Sequence, residues 1–357
     1  MQIDLIQEAR RQTEICNACR YCEGYCSVFP ALHAKRAFSD GDITQLANLC
    51  HNCRGCYYAC QYAAPHEFDL NLPAALAEVR QASWEQFAFP NRLAASFQKN
   101  GMAIAIFATL CFAALFGLAR WLGQGAGAGF YGVLSHNLMV AIFTPAFLLP
   151  LISIALGLRR YWVAVGGKPL AFGDVMQAFL AAANMRNLAG GHGEGCNFED
   201  EDRFTHARRM AHQLVLVGFL LCFASTAAGT ILHYVFNMPA PYGLFSLPKL
   251  LGVPGGLMLT AGALWLFILK LRADPALGAV AARSGEFGFI ALLGFVGFSG
   301  LALYGLGQTA LMPTLLALHL GAVLAFFLLT PYTKMAHGFY RLAALVRDAQ
   351  RQRDEVR

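Results

Sequence analysis

Long apolar runs fill the chain from residue 101 to residue 333, whereas the residues before 100 mix polar and apolar positions. Six of these runs are close to the length of about 20 residues that a helix needs to cross a bilayer. They cover residues 101–121, 137–158, 211–236, 249–271, 286–307 and 311–333. The pattern therefore predicts six transmembrane helices behind a soluble N-terminal region.

The soluble region, residues 1–99, shows helical patterns and no strand-like alternation. Ser39 precedes a helical stretch that leads into Cys50, which is the pattern of an N-capped helix. Residues 74–99 are amphipathic, and we expect them to lie along the membrane surface. The predicted fold is all-α: a helical ferredoxin-like domain over 1–99, a six-helix transmembrane bundle over 100–340 that includes a connection at 174–209, and a basic tail over 341–357.

Charge and composition predict how the chain sits in the membrane. The chain is 57% hydrophobic and 13% charged, whereas soluble chains are about 25% charged. The connections after the second, fourth and sixth runs are basic, while residues 122–136 and 308–312 contain no Lys or Arg. Basic loops stay in the cytoplasm. We therefore expect a multi-pass membrane protein with both termini cytoplasmic. Residues 1–15 lack the apolar core of a cleavable signal peptide.

Eight of the eleven cysteines form two runs with identical spacing, C-x2-C-x2-C-x3-C. This is the bacterial-type pattern for two [4Fe–4S] clusters, in which the fourth cysteine of each run serves the other cluster. The predicted ligands of one cluster are Cys16, Cys19, Cys22 and Cys60, and those of the other are Cys50, Cys53, Cys56 and Cys26. We call these sets the first tetrad and the second tetrad.

Two other roles for the cysteines fit less well. A disulfide framework is typical of short secreted domains, and structural zinc uses well-separated cysteine pairs. The bacterial consensus has proline directly after the fourth cysteine, where this chain has Ser27 and Gln61. The departure argues against the β-rich ferredoxin fold and leaves the ligation unchanged.

Four histidines lie near the ends of the third and sixth predicted spans. His212 and His233 are 21 residues apart, and His319 and His337 are 18 apart, so each pair spans about 27–32 Å, close to the bilayer thickness. Because these spans run antiparallel, His212 and His337 share one depth, and His233 and His319 share the other. We predict haem b between His212 and His337, and a possible second haem between His233 and His319, with His136 as a substitute ligand.

The connection at 174–209 contains a glycine-rich segment, residues 190–196, followed by acidic residues. It lacks the Lys-Ser/Thr ending of a phosphate-binding loop, so it is either a flexible linker or a segment that packs against the ferredoxin-like domain. His192 and Cys196 offer too few ligands for a metal site by themselves. Cys111 and Cys222 lie inside predicted spans and read as ordinary buried thiols.

The cysteine run of residues 16–26, residues 60–69, the glycine-rich segment and residues 208–212 resemble the tricarballylate/citrate utilisation protein B family. The resemblance covers nearly the whole chain. It implies an inner-membrane iron–sulfur and haem protein that reoxidises the reduced flavin of a soluble FAD-dependent tricarballylate dehydrogenase and passes electrons into the membrane. The histidine spacing in the sixth span is also similar to that of the haem-binding subunit of respiratory nitrate reductase.

These features favour an electron-transfer component of the flavoprotein:quinone type over a stand-alone enzyme. The chain has no dinucleotide-binding fingerprint, so the substrate chemistry belongs to the partner. The sequence does not locate the quinone site. Lys249, Lys270 and residues 332–334 are polar groups at interface depth, but side chains that extend towards the membrane surface explain these positions equally well. The alternatives are a redox-sensing membrane transporter, which should show internal repeats, and a heterodisulfide-reductase-like enzyme. The second needs a spare cysteine near a cluster, and the sequence predicts none there, because Cys196 is the only predicted cytoplasmic cysteine outside the two runs.

Overall fold

The structure is a computed structural model that describes residues 4–26, 28–125, 129–199 and 202–356. Within these ranges the protein is all-α, as the sequence predicts, and its regular elements are α-helices and short 3₁₀ turns without any β-strand. Ser27, named above as a departure from the consensus, lies outside the described residues, as does part of the acidic stretch that follows the glycine-rich segment.

The cysteine-rich domain contains five helices. They are α1 (Leu5–Cys19), α2 (Phe29–His33), α3 (Asp40–Leu49), α4 (Gly55–Tyr58) and α5 (Leu72–Phe87). The capped helix before Cys50 is confirmed, because Ser39 and Asp42 form a reciprocal capping box at the start of α3. Helix α5 packs against α1 and α3 and buries Leu76, Val79 and Trp84. It therefore belongs to the domain core, although its sequence also reads as a membrane-surface segment.

Among the described residues, six helices are long and apolar enough to cross a membrane. The α-helices from residue 91 onward are α6 (Asn91–Trp121), α7 (His136–Ala164), α8 (Phe172–Ala183), α9 (Ala207–Tyr234), α10 (Leu247–Arg272), α11 (Arg283–Leu306), α12 (Met312–Leu329) and α13 (Ala336–Val356). The membrane-crossing candidates are α6, α7, α9, α10, α11 and α12, and each overlaps one predicted run. The two that pack most closely are α9 and α10. A Cβ atom added at Gly218 would lie 2.5 Å from the backbone nitrogen of Leu259, so the two backbones approach closely there.

Helix α6 begins after a short connection at residues 88–90 and runs into the bundle. It is continuous from Asn91 to Trp121 except at Asn100, whose φ of −125° and ψ of 25° are not helical. This kink lies one residue before the first predicted run begins.

The C-terminal residues form a helix that packs on the cysteine-rich end of the molecule. Helix α13 contacts α3, α7 and α8 and buries Tyr340, Ala344 and Val346. Arg353 forms an ion pair of 2.6 Å with Asp174 of α8. The basic tail and part of the long connection are thus ordered elements that meet around the cysteine-rich domain.

Candidate functional site

The four cysteines of the first tetrad line one cavity. Cys16, Cys19 and Cys22, from the end of α1 and the turn after it, meet Cys60 there, and the cavity has a volume of about 270 Å³. Cys16 and Cys22 are buried, whereas Cys19 and Cys60 are partly exposed. Tyr21 lies at its rim and is 68% exposed. The first tetrad is therefore close to the protein surface.

The second tetrad lies deeper. Cys26 interacts electrostatically with Cys53 and Cys50, and Cys56 interacts with all three of these. Cys50, Cys53 and Cys56 are each at most 9% exposed. Each tetrad thus combines three cysteines of one run with the fourth cysteine of the other, which is the crossed arrangement that the spacing predicts.

The local backbone is arranged to donate hydrogen bonds to cysteine sulfurs. The backbone N–H of Asn52 lies 3.4 Å from Cys50 Sγ, and that of Val28 lies 3.4 Å from Cys26 Sγ. Gln61 Nε2 lies 3.6 Å from Cys19 Sγ. Positive φ angles at Asn52 and Arg54 turn the chain around the second tetrad. Donors to ligating sulfurs are one of the means by which proteins set cluster potentials.

Burial raises the pKa of Cys16 and of Cys22, so both thiols stay protonated at neutral pH when no metal is bound. Burial and then the neighbouring cysteines raise the pKa of Cys16 to about 12, and burial first, with Cys60, raises the pKa of Cys22 to about 11. Metal ligation requires thiolates, so binding must release protons. In the described ranges no group of three or more His, Cys, Asp or Glu side chains is placed to hold a single metal ion.

Arginines from three separate helices converge on the backbone beside the second tetrad. Arg80 of α5 and Arg341 of α13 both donate to the carbonyl of Cys50, at 2.7 Å and 2.8 Å. Arg208 of α9 donates to the carbonyls of His51 and Asn52, at 2.8 Å and 2.9 Å. These contacts clamp the start of the second cysteine run.

A fourth arginine, Arg54, is 2% exposed beside the same tetrad. Burial, and then the charge of Arg208, lowers the pKa of Arg54 to about 10. Across the described part of the chain, none of these four arginines forms an ion pair with a carboxylate. Buried positive charge without a carboxylate partner is costly unless another anion compensates it. A cluster ligated by four thiolates is such an anion.

The predicted haem ligands His212 and His337 lie next to each other, close to these arginines. His212 lies one turn after Arg208 in α9, and His337 lies one turn before Arg341 in α13. Their ring centroids are 5.8 Å apart with an angle of 79° between the planes. Because an imidazole nitrogen binds a transition metal at about 2 Å, rings at this separation can hold an iron atom between them.

The hydrogen bond of His337 also fits a role as a haem ligand. His337 Nδ1 donates to the carbonyl of Lys334, which leaves Nε2 for a metal, as is usual for metal-binding histidines. His212 Nδ1 is buried and has no hydrogen-bond partner among the described residues. The ring of Trp84 lies 6.5 Å from that of His337, on the side of the cysteine-rich domain.

At the other end of the bundle the structure brings together His136 and His233. Their rings are stacked at 4.1 Å, and His136 Nε2 is 2.9 Å from the hydroxyl of Tyr234. His319 instead contacts α11, where its Nδ1 lies 3.0 Å from Ser299 Oγ. His136, which the sequence analysis gives as a substitute haem ligand, is thus the residue in contact with His233.

The glycine-rich segment packs across both cysteine runs. The N–H of Gly191 donates to the carbonyl of Tyr25 at 3.2 Å, and the ring of His192 lies 5.3 Å from that of Tyr25. A Cβ atom at Gly191 would lie 1.7 Å from the carbonyl oxygen of Gly24, so only glycine fits there. Of the two alternatives that the sequence leaves open, packing against the ferredoxin-like domain is the correct one.

Cys196 lies beside the second tetrad, a contact that sequence reasoning missed. It is 1% exposed, its thiol donates to the carbonyl of Leu188 at 3.3 Å, and it shares a buried cluster with Cys53. The N–H of Asn197 donates to the carbonyl of Cys53 at 2.8 Å, and Phe198 packs under the guanidinium groups of Arg54 and Arg208. More than a hundred residues separate Cys196 from Cys53, so no local pattern signals this contact. The sequence-based statement that no spare cysteine lies near a cluster was wrong.

Comparison with known proteins matches both parts of the chain to one family. Residues 9–86 match the family model described as "Citrate utilization protein B Fer4-like domain", and residues 92–356 match the one described as "Citrate utilization protein B". The Citrate utilization protein B of Escherichia coli is 41% identical over 354 residues, which cover 97% of this chain and 92% of that protein. No solved structure matches the chain. The chain belongs to the citrate utilization protein B family.

Proposed function

We propose that this protein carries electrons from the reduced FAD of a soluble tricarballylate or similar tricarboxylate dehydrogenase to the quinone pool of the bacterial inner membrane. Two [4Fe–4S] clusters on the tetrads and haem b on the histidines, when bound, pass electrons singly between a two-electron flavin and a two-electron quinone. The name of the Escherichia coli relative refers to citrate, which supports a tricarboxylate as the substrate of the partner dehydrogenase.

The observation that carries the proposal is the shared arginine clamp. Arg208 and Arg341 bind the backbone of the second tetrad and lie one helical turn from His212 and His337, respectively. The chain's own residues therefore fix the distance between the two predicted redox sites. A rigid, water-poor spacing of this kind is what electron transfer between bound centres requires.

The contrast between the tetrads supports a direction of flow. The first tetrad has two partly exposed cysteines and an exposed aromatic residue, Tyr21, at its cavity. The second is enclosed by α5, α9, α13 and the glycine-rich segment. A soluble flavoprotein has access to the first tetrad alone, so electrons enter there and leave through the bundle. The proposal places the cysteine-rich domain and both termini in the cytoplasm.

The test is to measure iron, acid-labile sulfide and haem in the purified wild type, His212→Ala and His337→Ala. We expect both variants to lose haem, together with the α-band of the dithionite-reduced optical spectrum, and to keep iron–sulfur content. His33→Ala is the matched control, because His33 lies in the cysteine-rich domain beside Glu23.

Unchanged haem in both variants would remove the proposed ligand pair. A wild type without any haem band would favour the transporter alternative instead. The same measurement on His136→Ala, His233→Ala and His319→Ala decides whether a second haem exists and which histidines hold it.

A further inference from the structure

Helix α8, which lies between α7 and the glycine-rich segment, leaves five large apolar side chains exposed. It has 12 residues, so it is about 18 Å long and too short to cross a hydrocarbon core of about 30 Å. The exposed fractions are 81% for Phe172, 37% for Val175, 42% for Met176, 59% for Phe179 and 53% for Leu180. We call these five side chains the α8 face. A contiguous exposed apolar patch of this kind indicates a binding surface.

The α8 face lies on one side of the helix, and the other side is already occupied. At 3.6 residues per turn the five side chains fall within an arc of about 140°. On the other side, Asp174 and Ala178 are 4% and 1% exposed. Asp174 pairs with Arg353 of α13, and Gln177 Nε2 donates to Gln352 Oε1 of α13 at 2.9 Å. The polar side of α8 therefore packs on α13, and the α8 face points away from it.

The α8 face continues the exposed apolar surface of the membrane-crossing candidate that precedes it. Helix α7 ends at Ala164, shortly before α8 begins. Leu156 and Val163 of α7 are 41% and 76% exposed, and Leu170 in the connection is 67% exposed. Apolar side chains exposed on a membrane-crossing helix contact lipid tails. Exposed apolar residues thus follow the chain from the lipid-facing part of α7 to the start of α8.

Basic residues flank the α8 face in the chain. Arg159 and Arg160 lie near the end of α7, and Arg186 follows α8; all three are exposed. Cationic side chains next to an apolar helix face are typical of helices at the boundary between acyl chains and phosphate headgroups. The charge around α8 is therefore complementary to a lipid surface.

The size of the α8 face favours lipid over a second copy of this chain. A large apolar side chain buries about 150–250 Å² when fully covered, so five partly exposed ones offer roughly 500 Å². A stable protein interface buries about 800 Å² on each partner. A lipid surface has no such lower limit, because each buried CH₂ group contributes about 0.8 kcal/mol.

We propose that α8 is an interfacial helix that lies in the lipid leaflet at the cysteine-rich end of the bundle, with the α8 face among the acyl chains and the flanking arginines at the phosphate headgroups. The polar side of α8 then holds α13 at the membrane surface. Because α13 also supplies His337 and Arg341, the leaflet supports one side of the candidate site. The position of α8 in the leaflet does not depend on which cofactors the protein binds.

The test uses the photoreactive residue p-benzoylphenylalanine in the full-length protein in its native membrane, at one position per variant. Phe172 and Phe179 report on the α8 face, and both are exposed enough to accept the larger aromatic side chain. Adducts with phospholipid are identified by mass spectrometry after irradiation. We expect lipid adducts at both positions, with the yield found at Phe107, which is 70% exposed on the membrane-crossing candidate α6.

Two further positions are controls. Tyr21 is 68% exposed on the cysteine-rich domain and should give no lipid adduct. Gln177, on the polar side of α8, should crosslink within the chain to α13. If Phe172 and Phe179 form adducts with a second copy or with another protein, or give no lipid adduct where Phe107 does, the proposal is overturned. Equal lipid yields at Gln177 and Phe179 would also overturn it, because α8 would then have no preferred side towards the membrane.

Discussion

Replacement of Arg208 by leucine should loosen the second tetrad while leaving the membrane bundle folded. The guanidinium of Arg208 binds two consecutive carbonyls, those of His51 and Asn52, and packs over the ring of Phe198 with its Cζ 4.1 Å from the ring centroid. Leucine fills part of the space but donates nothing. Both carbonyls then lose their donor in a site that water reaches poorly.

The size of the effect follows from these contacts. A hydrogen bond from a charged donor contributes about 1.5–3 kcal/mol, and a cation–π contact about 0.5–2 kcal/mol. Because contacts of one side chain are not additive, we expect a local destabilisation of about 3–5 kcal/mol. A loss of about 3 kcal/mol raises the fraction of molecules with an open loop at residues 50–53 by roughly 100-fold.

The assay is the rate at which iron and acid-labile sulfide are lost to an external chelator, since only open molecules give up the metal. Arg208→Leu should lose half of its iron much faster than the wild type and the other half at the wild-type rate. Arg208→Lys keeps the charge but cannot bridge both carbonyls, so its rate should be intermediate.

Arg209→Leu is the neighbouring control. Arg209 donates one hydrogen bond, to the carbonyl of Asn184 at 2.9 Å, and does not touch the cysteine run. If Arg208→Leu and Arg209→Leu lose iron equally fast, the clamp does not hold the second tetrad and the reasoning fails.

Three other changes test further parts of the site. Gly191→Ala should push the glycine-rich segment away from Gly24, where the new Cβ would overlap the backbone, and raise hydrogen exchange across 190–196. Gly173→Ala, in α8 and with nothing within 4 Å of its Cβ, should leave that exchange unchanged. Cys196→Ala removes the thiol that lies beside Cys53. The midpoint potential of the second tetrad's cluster, followed by EPR in a redox titration, should therefore fall. An unchanged midpoint potential would contradict the contact. In protein stripped of metal, burial raises the pKa of Cys16 to about 12. Cys16 should therefore be alkylated more slowly than an ordinary cysteine at about pH 8, and its alkylation rate should increase as the pH rises. Equal alkylation rates would contradict the burial.

The parts of the fold that could be predicted are those whose signal is local. Transmembrane runs and the capped helix before Cys50 follow from composition and spacing over about 20 residues or fewer. The family was also recognisable from short motifs and is confirmed by the matches over most of the chain. The sequence does not predict helix α13. Arginines interrupt its apolar positions, so residues 341–357 are predicted as a basic tail instead of a packed helix.

The arrangement around the site could be predicted only in part. Matching the depths of His212 and His337 used the regular rise of helices, and the structure does bring these rings together. Nothing local connects them to the second tetrad, because the arginine clamp joins α5, α9 and α13, which are far apart in sequence. Long-range contacts of this kind depend on packing between elements, which spacing along the chain does not encode.

Helix α13 has a consequence for how the protein matures. It supplies both His337 and Arg341, so two sides of the site come from a helix that follows all six membrane-crossing candidates of the described chain. The contact between the rings of His212 and His337 can therefore form only after α13 has been synthesised. If the proposed function holds, a chain that stops before residue 336 keeps its membrane-crossing helices but does not bind haem.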